Sequence, residues 1–197
     1  NDNLSLNSIF SASMGDINSK RVIDDSLAAN GKSRSKGFVL EATVNYKIKS
    51  GNNLLIIPNL GLRYSNFSEG SYNETGSGVH NMEVGAKSSY ALTGTAGIDI
   101  AIPNKLSESL TIMPSLQASI SGDILNKSQK VNSKLIWMDN YFENNLSKDT
   151  KSKNLSYSTG AGMAISHDRA EVSMNYSYNG SAKSQSHQGT IKLKLKF

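Results

Sequence analysis

The chain has 197 residues, 37% of them hydrophobic, with 16 glycines, 3 prolines, no cysteine and a formal net charge of +5. Its length suits one domain, and it has no apolar run near the roughly 18 residues of a spanning helix; helical membrane proteins are excluded, barrels are not, because alternation dilutes their signal. Without cysteine there is neither a disulfide framework nor a thiolate metal site, while the basic balance suits nucleic acid, an acidic membrane surface or a basic pore. The opening NDNLSLNS has no basic n-region and no apolar h-region, so a secretory signal is not expected there.

Residues 4–14 carry Leu4 and Leu6, then Ile9, Phe10, Ala12 and Met14, a strand pattern with a register change that predicts a bulge. A polar connection over 16–37 follows, whose ends can extend the flanking strands. The next strand is clear: Phe38, Leu40, Ala42, Val44, Tyr46 and Ile48 alternate with Val39, Glu41, Thr43, Asn45, Lys47 and Lys49. Residues 50–53, SGNN, predict a tight hairpin. The returning strand places Leu54, Ile56, Pro58, Leu60, Leu62 and Tyr64 on its apolar face. Proline removes a ladder donor, so Pro58, and later Pro114, are expected at bulges or at the rim.

Residues 66–78 read as a loop. After an extended stretch over 79–89, Tyr90, Leu92, Gly94, Ala96, Ile98, Ile100 and Ile102 form an apolar face, and Leu110, Ile112, Pro114, Leu116, Ala118 and Ile120 form the next. Residues 121–153 are irregular by composition, with one aromatic island, LIWMDNYF, at 135–142. A strand led by Leu155, Tyr157, Thr159, Ala161, Met163 and Ile165 turns at 167–169 into one led by Ala170, Val172, Met174, Tyr176 and Tyr178. Beyond a loop at 180–186, Gly189, Ile191, Leu193, Leu195 and Phe197 alternate with Gln188, Thr190, Lys192, Lys194 and Lys196.

That makes eight strands, with short turns at one end and long loops at the other, as in outer-membrane barrels. Alternation alone does not say which face is inside, and a soluble calyx would bury the apolar set. Two features favour lipid outside. Phe38, Tyr46, Tyr64, Tyr90, Tyr178 and Phe197 sit toward the ends of the apolar faces, where an interfacial girdle belongs, and the polar faces are rich in the small residues of a crowded lumen.

The lumen candidates are Glu41, Asn45, Lys47, Lys49, Arg63, Asp99, Glu171, Asn175, Lys192, Lys194 and Lys196. They either solvate a pore and contact a translocating segment, or merely pair across strands. His80, His167 and His187 are scattered without metal-ligand spacing. No GxSxG elbow accompanies the serines, and Gly160-Ala161-Gly162 has no P-loop lysine. Neither a catalytic residue, a metal nor a cofactor is expected. The aromatic island is an adhesive loop tip, a hairpin cap over the lumen, or a cluster tucked against the barrel rim.

IIPNLGLRYS (56–65), SYNETG (71–76), ALTGTAGIDI (91–100) and the closing IKLKLKF resemble the C-terminal β-domain of autotransporters, the type V secretion translocators, and the Asn- and Lys-rich composition is similar to the rickettsial surface cell antigens. The resemblance spans nearly the whole chain. It implies an all-β, antiparallel, up-and-down transmembrane β-barrel in the bacterial outer membrane, twelve-stranded with a helix through the lumen, that exports and anchors its own N-terminal passenger. With about eight strands in residues 1–197, the expectation is the C-terminal part of such a barrel domain, without its first strands and linker helix. Leu193, Leu195 and Phe197 take the place of the C-terminal signal read by the barrel assembly machinery. The implied partners are outer-membrane lipid, that machinery and the passenger, and not nucleic acid. The alternative is a small eight-stranded outer-membrane barrel acting as an adhesin, whose long loops bind host surface molecules.

Overall fold

In the computed structural model, residues 3–51, 53–127, 130–145, 155–182 and 184–195 are described. The strands in chain order are β1 (Leu4–Val22), β2 (Ala28–Tyr46), β3 (Ile48–Ser50), β4 (Leu54–Glu69), β5 (Tyr72–Asn73), β6 (Met82–Val84), β7 (Lys87–Ala101), β8 (Asn104–Lys105), β9 (Leu110–Lys127), β10 (Lys130–Leu135), β11 (Phe142–Asn145), β12 (Leu155–His167), β13 (Ala170–Ser181) and β14 (Gln185–Leu195). Eight form one antiparallel meander in the order β1-β2-β4-β7-β9-β12-β13-β14, while β3 pairs with β4 and β8 with β9 at the short-turn end. The sheet is curled: Glu41 on β2 and Ser158 on β12 line the same trough although three strands lie between them. Among the described residues β1 and β14 each pair on one side only, so the wall is a half-barrel rather than a closed ring. A second sheet, β11-β10-β6-β5, sits at the long-loop end.

Alternation gives this wall two chemically distinct faces, and register keeps them apart. Leu40 lies opposite Tyr64, Ala42 opposite Leu62 and Val44 opposite Leu60, whereas Glu41 lies opposite Arg63 and Thr43 opposite Gly61. A slip of one residue would exchange the faces of a whole strand. The burial is inverted relative to a soluble fold. More than thirty large hydrophobic side chains are exposed, among them Phe10, Leu60 and Leu193, while the buried apolar residues among those described are Ala29, Ala101 and Val131. A soluble monomer rarely exposes more than a few hundred Å² of contiguous apolar surface. Hydrocarbon is the solvent that suits this face, where the inner strands of the wall satisfy their backbone hydrogen bonds against neighbours on both sides.

Several sequence expectations change. No register shift separates β1 from β2: Leu4, Leu6, Phe10, Ala12 and Met14 all share the outward parity, and Ile9 is simply an apolar residue on the inner face, opposite Glu41. The polar stretch 16–37 is mostly strand, because its alternation is polar on both faces beyond the membrane band; only 23–27 turn the chain. β4 runs on to Glu69, into the segment read as a loop, and the rest of 66–78 includes β5. β9 continues to Lys127, and 130–145 supply β10 and β11; residues 128–129 and 146–154 of that expected irregular stretch lie outside the described residues. The bulge in this region sits between Leu92 and Thr93, where Leu125 and Asp123 are the successive partners and Ile124 is the extra residue. Of the expected loop at 180–186, residues 180–181 belong to β13 and 185–186 to β14, and residue 183 lies outside the described residues.

Both prolines occupy the short-turn rim but neither makes a bulge. Pro58 falls in the gap between the β2–β4 and β3–β4 ladders, whose registers stay in step across it, so the ladder breaks there without a bulge, while on its other side Pro58 stays in register opposite Ile98 of β7. Pro114 lies where the β7 ladder ends, and its carbonyl accepts a 3.1 Å bond from the Ile102 amide. The short turns carry left-handed residues of the expected kind, Asn53 at φ 62° and Asp168 at φ 47°.

Candidate functional site

The inner face of the half-barrel forms a trough of about 640 Å³. Glu41, Asn45, Asn59, Arg63, Asp99 and Gln117 supply its long polar side chains, and Thr93, Thr95, Ser119, Ser121 and Ser158 its hydroxyls. Small residues make room for the long ones. A Cβ built on Gly97 would lie 2.6 Å from Asn59 Oδ1 and 3.0 Å from Ser119 Cβ, so the Asn59 side chain occupies the space that glycine leaves. From there the Asn59 amide donates to Asp99 Oδ2 at 3.1 Å. Thr93 donates to Asp123 at 3.1 Å, and the Thr95 and Ser121 hydroxyls meet at 2.9 Å. The result is a polar wall with fixed donors and acceptors, lined by one guanidinium, Arg63, and two carboxylates, Glu41 and Asp99. Its charge is mixed rather than basic.

Of the candidates read from the sequence, Glu41, Asn45, Arg63 and Asp99 meet in this trough. Lys47 and Lys49 are exposed at the short-turn rim. Glu171, Asn175, Lys192 and Lys194 lie on β13 and β14, away from it: Lys194 is opposite Glu171, which accepts from Ser166 at 3.3 Å, and Asn175 fills the space over Gly162. Lys196 and Phe197 lie outside the described residues. Leu193 and Leu195 are both more than half exposed on the outward face of the last strand. Asn59, Gln117, Thr93 and Thr95 were not singled out from the sequence, although they share the polar parity of those that were.

A second constellation, at the long-loop end, was hidden in the stretches read as loop. The segment carrying β5 and β6 folds inward over the β1–β2 extension, its Tyr72 ring against Gly31. Arg21 donates to both oxygens of Glu74, at 3.0 and 2.6 Å, and to the His80 carbonyl at 2.7 Å, while the Met82 amide adds a 2.9 Å bond to Glu74. The Arg21 guanidinium and the Met82 amide hold the Glu74 carboxyl below the usual carboxylate range, against the opposing effect of burial. Burial alone would raise Glu69, yet Lys87 Nζ at 2.7 Å and the Ser33 hydroxyl at 2.6 Å outweigh it and hold its carboxyl low. Trp137 donates its indole N–H to the Val79 carbonyl at 2.8 Å, and Lys134 sits 4.7 Å from the Tyr141 ring. The aromatic island therefore belongs to a small cap at the barrel rim.

The outward face carries aromatic rows. Phe38, Tyr64 and Tyr90 are in ring contact across β2, β4 and β7, at 5.6 and 6.4 Å between centroids. Tyr157, Tyr178 and His187 continue the theme on β12 to β14, and the Tyr176 hydroxyl meets His187 Nδ1 at 2.7 Å. His187 is thus a girdle residue, and no group of three metal-ligating side chains occurs among the described residues.

The autotransporter beta-domain family profile matches residues 1–177. The surface cell antigen sca1 of Rickettsia conorii is 30% identical over 197 residues, covering 98% of this chain and 10% of that protein. Outer membrane protein A of the same organism is 29% identical over 204 residues, covering 100% and 10% respectively. The translocator domain of autotransporter NalP from Neisseria meningitidis superposes with a TM-score of 0.67 at 18% identity, covering 100% of this chain and 61% of that one. The chain spans about a tenth of the length of these curated relatives.

Proposed function

The chain belongs to the autotransporter β-domain family, a translocator of the bacterial outer membrane, and from that premise we propose that it exports and anchors a passenger carried by the N-terminal part of its own polypeptide. In this reading residues 1–197 act as one membrane-embedded domain with no catalytic role. The supporting observation is the inverted wall: apolar side chains outward, a polar trough inward. A segment in transit has no fixed side-chain pattern to match. Short hydroxyls and amides with mixed charge offer it exchangeable hydrogen bonds without a deep electrostatic trap. Glu41, Asn45, Arg63 and Asp99 are the residues that would touch it.

Leu193 and Leu195, with Phe197, would present the outward edge read by the barrel assembly machinery; the exposure of Leu193 and Leu195 on an edge strand supports this role. Exposed Trp137, Tyr141 and Phe142 on the cap are where host surface molecules would be met. The test uses the full-length polypeptide in cells. Protease shaving should remove the passenger from the surface when the domain is intact, and deletion of residues 185–197 should leave the passenger inside. Surface display that survives the deletion would refute the proposal.

A further inference from the structure

The outward face of β2 changes character abruptly on leaving the membrane band. Read toward the long-loop end, it runs Val44, Ala42, Leu40, Phe38, then Lys36, Arg34 and Lys32 at every second position. These three cations are exposed, and the residues between them, Ser33 and Ser35, point the other way, with Ser33 buried against Glu69. β1 adds to the same face: Met14 lies opposite Lys36, Asp16 opposite Arg34, Asn18 opposite Lys32 and Lys20 opposite Asn30. Of the outward-facing residues on both strands beyond the band, four are cationic and one, Asp16, is acidic. Asp16 meets Arg34 at 3.7 Å, a loose pair with the Arg34 side chain 74% exposed, which does not neutralise the patch.

We propose that this patch binds the phosphate groups of a phosphorylated glycolipid in the membrane leaflet at the long-loop end. Height selects this occupant. Two residues advance a strand by about 6.6 Å, or about 5 Å of height at barrel tilt. Lys36 and Arg34 then stand about 5 and 10 Å above Phe38, and Lys32 about 15 Å. The headgroup layer of an ordinary bilayer is only about 5–8 Å thick. A single glycerophosphate satisfies Lys36, whereas a sugar headgroup bearing more than one phosphate reaches Arg34 and Lys32 as well. The guanidinium suits bidentate phosphate contact, and the lysine stems can bend down along the strand. The exposed Phe10, opposite Leu40 below the patch, and Met14, level with Lys36, offer acyl chains an apolar contact continuous with the cations.

This inference rests on the outward face meeting lipid, which quenching of a fluorophore at Leu40 by brominated acyl chains tests separately. The protein, extracted from outer membranes in mild detergent, is titrated with diphosphoryl lipid A, with lipid A stripped of both phosphates, and with inorganic phosphate. The diphosphoryl form should bind at least about tenfold more tightly than the stripped form, and K32S/R34S/K36S should abolish that difference. K47S/K49S at the opposite rim should leave it unchanged, and every variant should keep the heat-modifiable gel migration of a folded barrel. Equal affinity for both lipids, undiminished preference in the triple variant, or displacement by millimolar inorganic phosphate would overturn the proposal; the last would indicate a free-anion site.

Discussion

At the scale of single residues, the cap depends on one carboxylate. Glu74 is 5% exposed, and its carboxylate accepts three hydrogen bonds, one from the Met82 amide of its own segment and two from Arg21 on β1. Removing the cation leaves a buried charge without its main donors, at a cost of about 1–3 kcal/mol to the docked cap. Arg21→Ala should therefore speed amide exchange in β5 and β6 by about ten- to a hundredfold and leave the central strands of the wall unchanged. Exchange rates that stay at the wild-type level would show that the pairing is idle. Acid should act on the same joint. Glu74 and Glu69 both titrate below the ordinary carboxylate range when folded. Their contribution is complete above the unfolded value of about 4.3 and is lost as pH falls through the lower folded values. Trp137, the sole tryptophan, reports on the cap through its bond to Val79. Its fluorescence anisotropy should hold steady from pH 7 to 5 and drop below about pH 4.

At the scale of elements, the strands in the membrane band were legible because a half-buried strand must alternate, and residues such as 38–48 and 90–102 alternate without a break. Beyond the band both faces are wet, or covered only by other polar groups, so alternation carries no apolar signal. That is why 16–37 read as a connection; the tail of β9 read as irregular because the extra residue Ile124 breaks its alternation before Leu125. The trough was legible by parity, and Glu41, Arg63 and Asp99 were found that way. Its packing was not, since the match between Gly97 and Asn59 crosses strands that are 38 residues apart. The Arg21–Glu74 joint leaves no trace in a single sequence, because it is a contact between two stretches that both look like loop. Gly97→Ala tests the crowded inner face. Its methyl would displace Asn59 from Asp99 and approach the Ala118 carbonyl, which a built Cβ meets at 3.1 Å. The expected cost is about 1–3 kcal/mol, read as a lower temperature for loss of the folded band on a detergent gel. An unchanged midpoint would mean the wall has slack there.

At the scale of the whole molecule, the question is what solvent each face was built for, and matched substitutions at one height answer it. Leu60 is 67% exposed near the middle of the apolar band. Its ladder neighbours set that height: Val44 lies across from it on one side and Ala96 on the other. One step away, Thr43 faces the trough beside Glu41. If the outward face were in water, Leu60→Lys would remove an exposed hydrophobic residue and be neutral or mildly stabilising. In hydrocarbon the same lysine costs about 2–4 kcal/mol at the midplane. Thr43→Lys enters a hydrated trough near a carboxylate, where the cost should be small. Urea unfolding in lipid vesicles should separate the two variants by about 2 kcal/mol or more, with Leu60→Lys the weaker. The reverse order would turn the wall inside out and take the translocator reading with it, because a trough that faced lipid could not carry a hydrated chain.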